Sequence, residues 1–327
     1  MRRAIVQAPM SGGPSTPALA AAVSNAGGLG FLAAGYRTVA QLADDLAETR
    51  RLTTEPFGVN VFAHRSAAVD VSTTADAWGL DPAPARWSDD EYDGKLALLA
   101  AQPPAVVSFT FGLPEPLPSF GEVWVTVTSV EEARAAAAAG ADALVVQGYE
   151  AGGHRGAWVD RRDREDIGLL ALIALVRAAV DLPLVATGGI ADGAGIAAVL
   201  AAGASSAMLG TAFLLCPEAA TVPAHREAIV SDRPTGLTRA FSGRLARGIE
   251  NAWQRSHPDA PVAYPEIHYL TAPMRAEARQ AGDGDRFNLW AGQAHALARA
   301  LPAGELVQLL AEESREALEL ARHRLDR

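Results

Sequence analysis

One cysteine, Cys216, is all that the 327 residues contain. That excludes an intrachain disulfide and any metal site built from several thiolates. A small buried hydrophobe is the better reading of Cys216 itself. Long apolar runs are missing too. The first apolar stretch meets Pro9 after too few residues for a signal segment or a membrane span, so a cytoplasmic protein with no membrane segment is expected. Basic charge is in deficit: 28 Lys and Arg stand against 38 Asp and Glu, a net charge of −10. A nucleic-acid surface needs clustered cations, so that partner class is set aside. A phosphorylated cofactor is not, because backbone N–H groups bind phosphate locally. No two histidines have metal-ligand spacing, and no metal is expected. Coiled-coil heptads are absent, which leaves a monomer and a homodimer equally consistent with the sequence.

What is present is a soluble globular composition, 49% hydrophobic and 20% charged. Near-continuous apolar runs recur at Ala4–Ala8, Leu29–Ala33, Phe57–Val61, Ala105–Thr110, Val123–Val127, Ala143–Gln147, Pro183–Thr187 and Ser206–Leu209. Runs without alternation are how parallel strands buried on both faces read. Helical patterns fill the gaps. Thr16–Ala26 opens on a Thr cap with Pro at its first turn. Val39–Arg50, Ser129–Ala139 with its Ser-Val-Glu-Glu start, Asp166–Ala179 and Asp192–Ala202 follow. Eight such alternations predict an α/β protein, a (β/α)8 TIM barrel. The fourth connection, around Leu113–Phe120, is Pro-rich and only weakly helical. Two segments fall outside the repeat. His64–Tyr92 reads as an insertion after the third strand. Pro217–Asp285, with His225, Trp253, His257, Tyr264 and His268, reads as a helical cap inserted after strand eight. Leu289–Arg327 returns to an amphipathic helical pattern that would close the outer ring. The division predicted is a barrel of residues 1–215 and 288–327 with a cap of 216–287.

The active face of such a barrel lies at the carboxyl ends of its strands. There the sequence places Pro9 and Met10, Asn60, the loop Gln147–Gly156, the pair Gly188-Gly189, and Gly210-Thr211. The glycine pairs fall on the loops after strands seven and eight, where barrels bind phosphate. Gly188-Gly189 runs straight towards the helix at Asp192, whose bare N–H groups are expected to face the site. The hydroxyl of Thr211 would complete that cradle. Asn60 and Gln147 carry amides suited to a planar heterocycle. Met10 and Pro9 would wall a ring. His154, on a Gly-Gly loop, is the candidate acid–base, since its ordinary pKa lies near working pH. Glu150 and Arg155 are read as solvated or packing residues.

Together these residues resemble the nitronate monooxygenase family. The motifs are Gln7-Ala8-Pro9-Met10-Ser11-Gly12-Gly13, Ala26-Gly27-Gly28-Leu29-Gly30, Phe57-Gly58-Val59-Asn60, Glu150-Ala151-Gly152-Gly153-His154-Arg155-Gly156, Thr187-Gly188-Gly189-Ile190, Met208-Leu209-Gly210-Thr211, and Leu289-Trp290-Ala291-Gly292-Gln293. The resemblance implies FMN bound non-covalently. It implies contacts to that flavin from Ala8, Pro9, Met10, Asn60, Gln147, Gly152, Gly153, Gly188, Gly189, Met208, Leu209, Gly210, Thr211 and Gln293. It makes His154 the base that deprotonates neutral nitroalkanes. A nitronate or nitroalkane and O2 would be the substrates, with a carbonyl compound and nitrite as products. A flavin-dependent enoyl-acyl-carrier-protein reductase shares the Gly-Gly-His loop and is the nearest alternative. It would need a basic patch, for which Arg226, Arg233, Arg239, Arg244 and Arg247 are candidates. An NAD(P)H:quinone reductase of the same barrel and a non-catalytic flavin-binding module complete the alternatives.

Overall fold

The fold is known from a computed structural model that describes residues 3–63, 67–161 and 166–327. Arg2 and the first three residues of the expected insertion, 64–66, lie outside the described residues. Eight parallel strands form the core: β1 (Ile5–Gln7), β2 (Phe31–Ala33), β3 (Gly58–Phe62), β4 (Val106–Thr110), β5 (Glu122–Val127) and β6 (Ala143–Gln147), then, beyond a two-residue strand β7 (Gly153–His154), β8 (Leu184–Thr187) and β9 (Ser206–Leu209). They pair in the order β1-β9-β8-β6-β5-β4-β3-β2. The ring closes where Val6 bridges Leu29 in parallel and Leu29 N–H donates to the Ile5 carbonyl at 3.0 Å. The buried Gln7 side chain helps at this seam, its Oε1 accepting from Phe31 N–H at 2.9 Å. Strand residues pointing inward, among them Val6, Phe31, Trp124, Val145, Val185 and Met208, fill the lumen. The next residues along the strands, Val125, Leu144, Val146 and Leu209, meet the helices outside. Each strand is therefore buried on both faces, and the lack of alternation has that cause.

The helices are α1 (Pro17–Asn25), α2 (Val39–Leu52), α3 (Ser72–Trp78), α4 (Tyr92–Ala101), α5 (Val130–Ala138), α6 (Leu169–Ala179), α7 (Gly193–Ala201), α8 (Pro223–Ile229), α9 (Ala252–Ser256), α10 (Glu266–Leu270), α11 (Ala272–Ala281) and α12 (Ala303–Leu325). Thr16 caps α1 through Leu19 N–H, and Thr38 and Gln41 form a full capping box on α2. Ser129 caps α5 as expected. The carboxylate of Glu132 goes instead to Thr128 and to Trp158 N–H, so the box is only half made. No helix links β4 to β5: Pro114, Pro116 and Pro118 remove donors and clash with helical backbone. The final helix also departs from expectation. It starts at Ala303, and 289–302 holds only a short 3-10 turn. From there α12 packs on α7 and α1 and closes the outer ring. No helix among the described residues is long and apolar enough to cross a membrane.

The segment after β9 carries helices α8 to α11, as expected of a helical cap, and a small sheet in addition. Strands β10 (Thr235–Thr238) and β11 (Ala246–Ile249) form an antiparallel pair, and β11 pairs in turn with β7. The insertion after β3 folds onto this segment. Val71 and Ala75 pack with Ala263, Ile267 and Leu270, and Val69 N–H donates to Glu266. Both excursions thus meet over the carboxyl ends of the barrel strands.

Candidate active site

The loop after β6 owes its shape to one amide. Gln147 donates from Nε2 to the His154 carbonyl at 3.1 Å, and its Oε1 accepts from Gly156 N–H at 2.7 Å. The loop therefore folds back onto the strand that launched it. Arg155 is buried, with Nη1 2.6 Å from the Gly148 carbonyl, and Arg247 grips the Tyr149 carbonyl from the other side. The Glu150 carboxylate accepts from Leu169 N–H, at the first turn of α6, where a negative charge is favoured. Gly152 is needed for space: a Cβ there would fall 2.4 Å from Ala291 C and Gly292 N. Gly153 is needed for conformation, with φ of 73°. Of the solvated and packing roles open to Glu150 and Arg155, both take the packing one.

His154 emerges from this scaffold into a ring of aromatics. Its ring centroid lies 5.6 Å from Trp290, 5.7 Å from Phe111 and 5.9 Å from Tyr264. Nε2 is 2.8 Å from Ser242 Oγ, on the turn between β10 and β11. Removal from water pulls the His154 pKa down to about 3, and the nearby charges of Arg244 and Arg275 add to that. The imidazole is therefore neutral across the working range, with one nitrogen held by a hydroxyl. A second histidine, His268, stacks on Tyr36 at 3.9 Å, and Tyr36 meets Tyr264 hydroxyl to hydroxyl at 3.1 Å.

One cavity of about 460 Å³ joins these parts. Ala8, Pro9, Met10, Asn60, Gln147, Gly152, Gly153, His154, Gly188, Gly189, Met208, Gly210 and Thr211 all line it. Leu209 does not: it is buried on the outward side of β9, one residue past the inward Met208. Gln293 does not either. Its side chain is exposed and its N–H donates to the Glu150 carbonyl, although Gly292 and Ala294 beside it reach the cavity. Asn60 is fixed by hydroxyls: Oδ1 accepts from Ser108 at 2.8 Å and Thr110 at 2.9 Å, so its N–H2 is the part offered to the cavity. Gly188 and Gly189 have φ of 119° and 70° and present bare backbone to the same space. The helix that follows is not bare, against expectation. Gly193 N–H donates to Glu313 at 3.1 Å and Gly195 N–H to Asp192 at 2.8 Å, so α7 is capped from within and from α12. Thr211 Oγ1 accepts from Gly292 N–H at 2.9 Å, which leaves its own O–H to donate.

Sequence reasoning missed Ser242, Tyr36, Phe111, His268, Arg275 and Arg279. Two of them carry backbone that no spacing reveals: Tyr36 and Phe111 have φ of 66° and 77°, a conformation rare for aromatic residues. Among the described residues no carboxylate lines the cavity, and its charges are Arg275 and Arg279. No group of three or more metal-ligating side chains occurs among the described residues.

The buried histidines couple stability to pH. Burial holds His225 at about 4, outweighing its bond to the Trp290 carbonyl, and pushes His268 well below its ordinary value. These groups stay neutral when folded and take up protons when unfolded. Below pH 6.5 the unfolded chain therefore binds more protons, and stability falls with pH until the folded values are reached. Between pH 7 and pH 5, His154 and His225 together should cost about 4 kcal/mol, at 1.36 kcal/mol per pH unit for each group. Urea unfolding at the two pH values measures this, and a wild type equally stable at both would contradict the burial assignment.

The profile described as nitronate monooxygenase matches residues 2–313. A protein named nitronate monooxygenase from Paraburkholderia phytofirmans is 41% identical, over 97% of this chain and 94% of its own length. Its namesake from Pseudomonas aeruginosa is 43% identical, over 96% and 97%. Among solved structures, a nitroalkane oxidase from Streptomyces ansochromogenes superposes with a TM-score of 0.90 at 48% identity, covering 97% of each chain. FabK from Thermotoga maritima superposes at 0.79 with 27% identity, covering 99% of this chain and 96% of that one.

Proposed function

This chain belongs to the nitronate monooxygenase family and is an oxidoreductase, and from that premise we propose that it uses FMN to oxidise alkyl nitronates, propionate 3-nitronate among them, with O2 to a carbonyl compound and nitrite. FMN, when bound, supplies electron acceptance and reaction with O2. The observation that carries this reading is the convergence of bare glycine backbone, a tethered amide and a desolvated imidazole on one cavity. The N–H groups at Gly188, Gly189 and Gly210 would take the phosphate with the Thr211 hydroxyl. Ala8, Pro9, Met10 and Met208 would contact the ring, and Asn60 would donate to its acceptor edge. Gly152 and Gly153 would let it lie close to the loop. Gln147 spends most of its bonding capacity shaping that loop. Leu209 and Gln293 would act only by placing their neighbours.

His154 is the base in this proposal. A neutral nitroalkane must lose a proton from carbon, and an uncharged imidazole oriented by Ser242 can accept it. Burial first, and the cations after it, disfavour the imidazolium until the nitronate formed beside it balances the charge. A substrate that arrives already as the nitronate avoids that step. We further assign the cofactor to the barrel, 1–215 and 288–327, and substrate contacts to 216–287, since Ser242, His268 and Arg275 line the cavity from that side.

The alternative reading, a flavin-dependent enoyl-acyl-carrier-protein reductase, calls for a basic patch that meets an acidic carrier. The five arginines named for its docking patch are committed to bonds within the chain or buried. Arg226 bonds the Leu215 and Cys216 carbonyls, Arg233 the Glu250 carbonyl, and Arg239 the Asp160 carboxylate. Arg244 and Arg247 are buried. These arginines pin chain segments rather than face an acidic carrier. The deciding assay is O2 uptake with nitrite release on ethylnitronate, with no pyridine nucleotide added, and release of FMN on denaturation. Absence of nitrite would remove the proposal.

A further inference from the structure

Two arginines on one face of α11 have no carboxylate partner among the described residues. Arg275 and Arg279 are four residues apart, so they stack on the same side of the helix. Both donate to a single neutral acceptor, Asn288 Oδ1, at 3.3 and 2.7 Å. Neither is in a carboxylate ion pair among the described residues. Arg275 is 6% exposed and braced by Thr271 Oγ1 and the His268 carbonyl. Arg279 is half-buried, with its guanidinium 5.3 Å from the Phe287 ring centre. Buried charge is ordinarily paired. Here burial and the like charge of Arg279 pull the Arg275 pKa to about 10, so the two cations strain against each other.

Resting on the nitronate-oxidising reading above, we propose that Arg275 and Arg279 form an anion-receiving pair that selects the ionised nitronate over the neutral nitroalkane. The two substrate forms share their carbon, nitrogen and oxygen skeleton and differ by one proton and one charge. Shape alone separates them poorly; a cationic pair in a cavity without carboxylates separates them by charge. Arg279, the less buried of the two, would draw the anion in, and Arg275 would hold it. The cofactor phosphate belongs elsewhere in this reading, on the glycine turns after β8 and β9. Arg275 touches His268, which stacks on Tyr36, whose hydroxyl meets Tyr264 beside His154. The charge therefore lies on the His154 side of the cavity.

The test uses flavin-bound enzyme carrying Arg275→Met, Arg275→Lys or Arg279→Gln. Loss of a buried charge contact predicts a rise in KM for ethylnitronate of about a hundredfold in Arg275→Met and about tenfold in Arg279→Gln. Arg275→Lys keeps the charge and should recover most of the loss. KM for neutral nitroethane should rise far less, so that the ratio of the two KM values shifts by about tenfold or more, because that substrate carries no charge for the pair to read. Nitrate, a planar inert anion, provides a readout free of turnover: its titration against tryptophan fluorescence, to which Trp290 in the cavity contributes, should weaken in step with ethylnitronate KM. Equal KM increases for both substrates would overturn the proposal. So would unchanged nitrate affinity in the variants, or a variant that loses its FMN, which would place the cofactor phosphate on the pair. If Arg275→Met does not fold, the half-buried Arg279→Gln carries the same comparison. If wild type turns over no nitronate, the proposed function falls, and the nitrate titration still decides whether the pair binds anions.

Discussion

Replacing His154 with alanine should lower kcat/KM for neutral nitroethane by about a thousandfold, the range of a lost general base. The same variant should lose only a few-fold on ethylnitronate. The asymmetry follows from where the proton is. Nitroethane must pass it to an acceptor in the cavity, and in the proposed role His154, neutral and held by Ser242, would take it. Ethylnitronate has no such proton to give. Because burial and two arginines hold the imidazole far below its ordinary pKa, the acid limb of the nitroethane profile should also fall below pH 6.5 in wild type. Steady-state kinetics on both substrates checks the claim. Equal losses would reduce His154 to a wall of the pocket.

Lys95→Met should cost about 3–5 kcal/mol of stability, the range for stripping one partner from a buried ion pair. Lys95 is the chain's sole lysine, and its side chain is fully buried. Nζ lies 2.7 Å from Asp90 Oδ2, while Asp90 Oδ1 accepts from Tyr36 N–H at 2.9 Å. Burial raises the Asp90 pKa and lowers that of Lys95, so neither charge is tolerated there without the other. Methionine fills the volume but leaves the carboxylate unpaired. The pH dependence has a definite sign. In the variant the folded Asp90 pKa rises further above its unfolded value, so the destabilisation is present at neutral pH and shrinks as pH falls through that folded pKa. Asp90→Asn added to Lys95→Met should recover much of the loss. Because Asp90 holds the backbone of Tyr36, which stacks on His268, substrate KM should rise in the single variant as well. Urea unfolding resolves a change of this size, and a cost below about 1 kcal/mol would mean the pair stabilises nothing.

The barrel was legible because its strands answer to one constraint. A run such as Ala143–Gln147 is buried on both faces, so every position must be apolar until the strand end, where Gln147 turns to the loop. The segment beyond β9 obeys no such rule. Strand β11 is Ala-Arg-Gly-Ile, with Arg247 inside it, and its partner β7 is two residues long. Such strands exist because the His154 loop lies beside them, a fact of tertiary structure rather than of pattern. Arginine positions misled for a related reason. In sequence, Arg239 and Arg247 read as a solvated or basic face; in the fold they grip Asp160 and the Tyr149 carbonyl. The capping of α7 by Glu313 spans 120 residues and has no local signature. His154 itself was found because it sits on a Gly-Gly loop at the carboxyl end of a strand, the active face of a barrel. The groups that tune it, Ser242 and Arg244, arrive from a segment whose path the sequence did not disclose.

The most direct test mixes the purified protein, carrying its flavin, with ethylnitronate under anaerobic conditions and follows absorbance in the flavin band. Rapid loss of absorbance with the nitronate alone, and none with NADPH, is the predicted result. Fast bleaching by NADPH with no response to the nitronate would contradict it and give this cavity to a pyridine-nucleotide reductase.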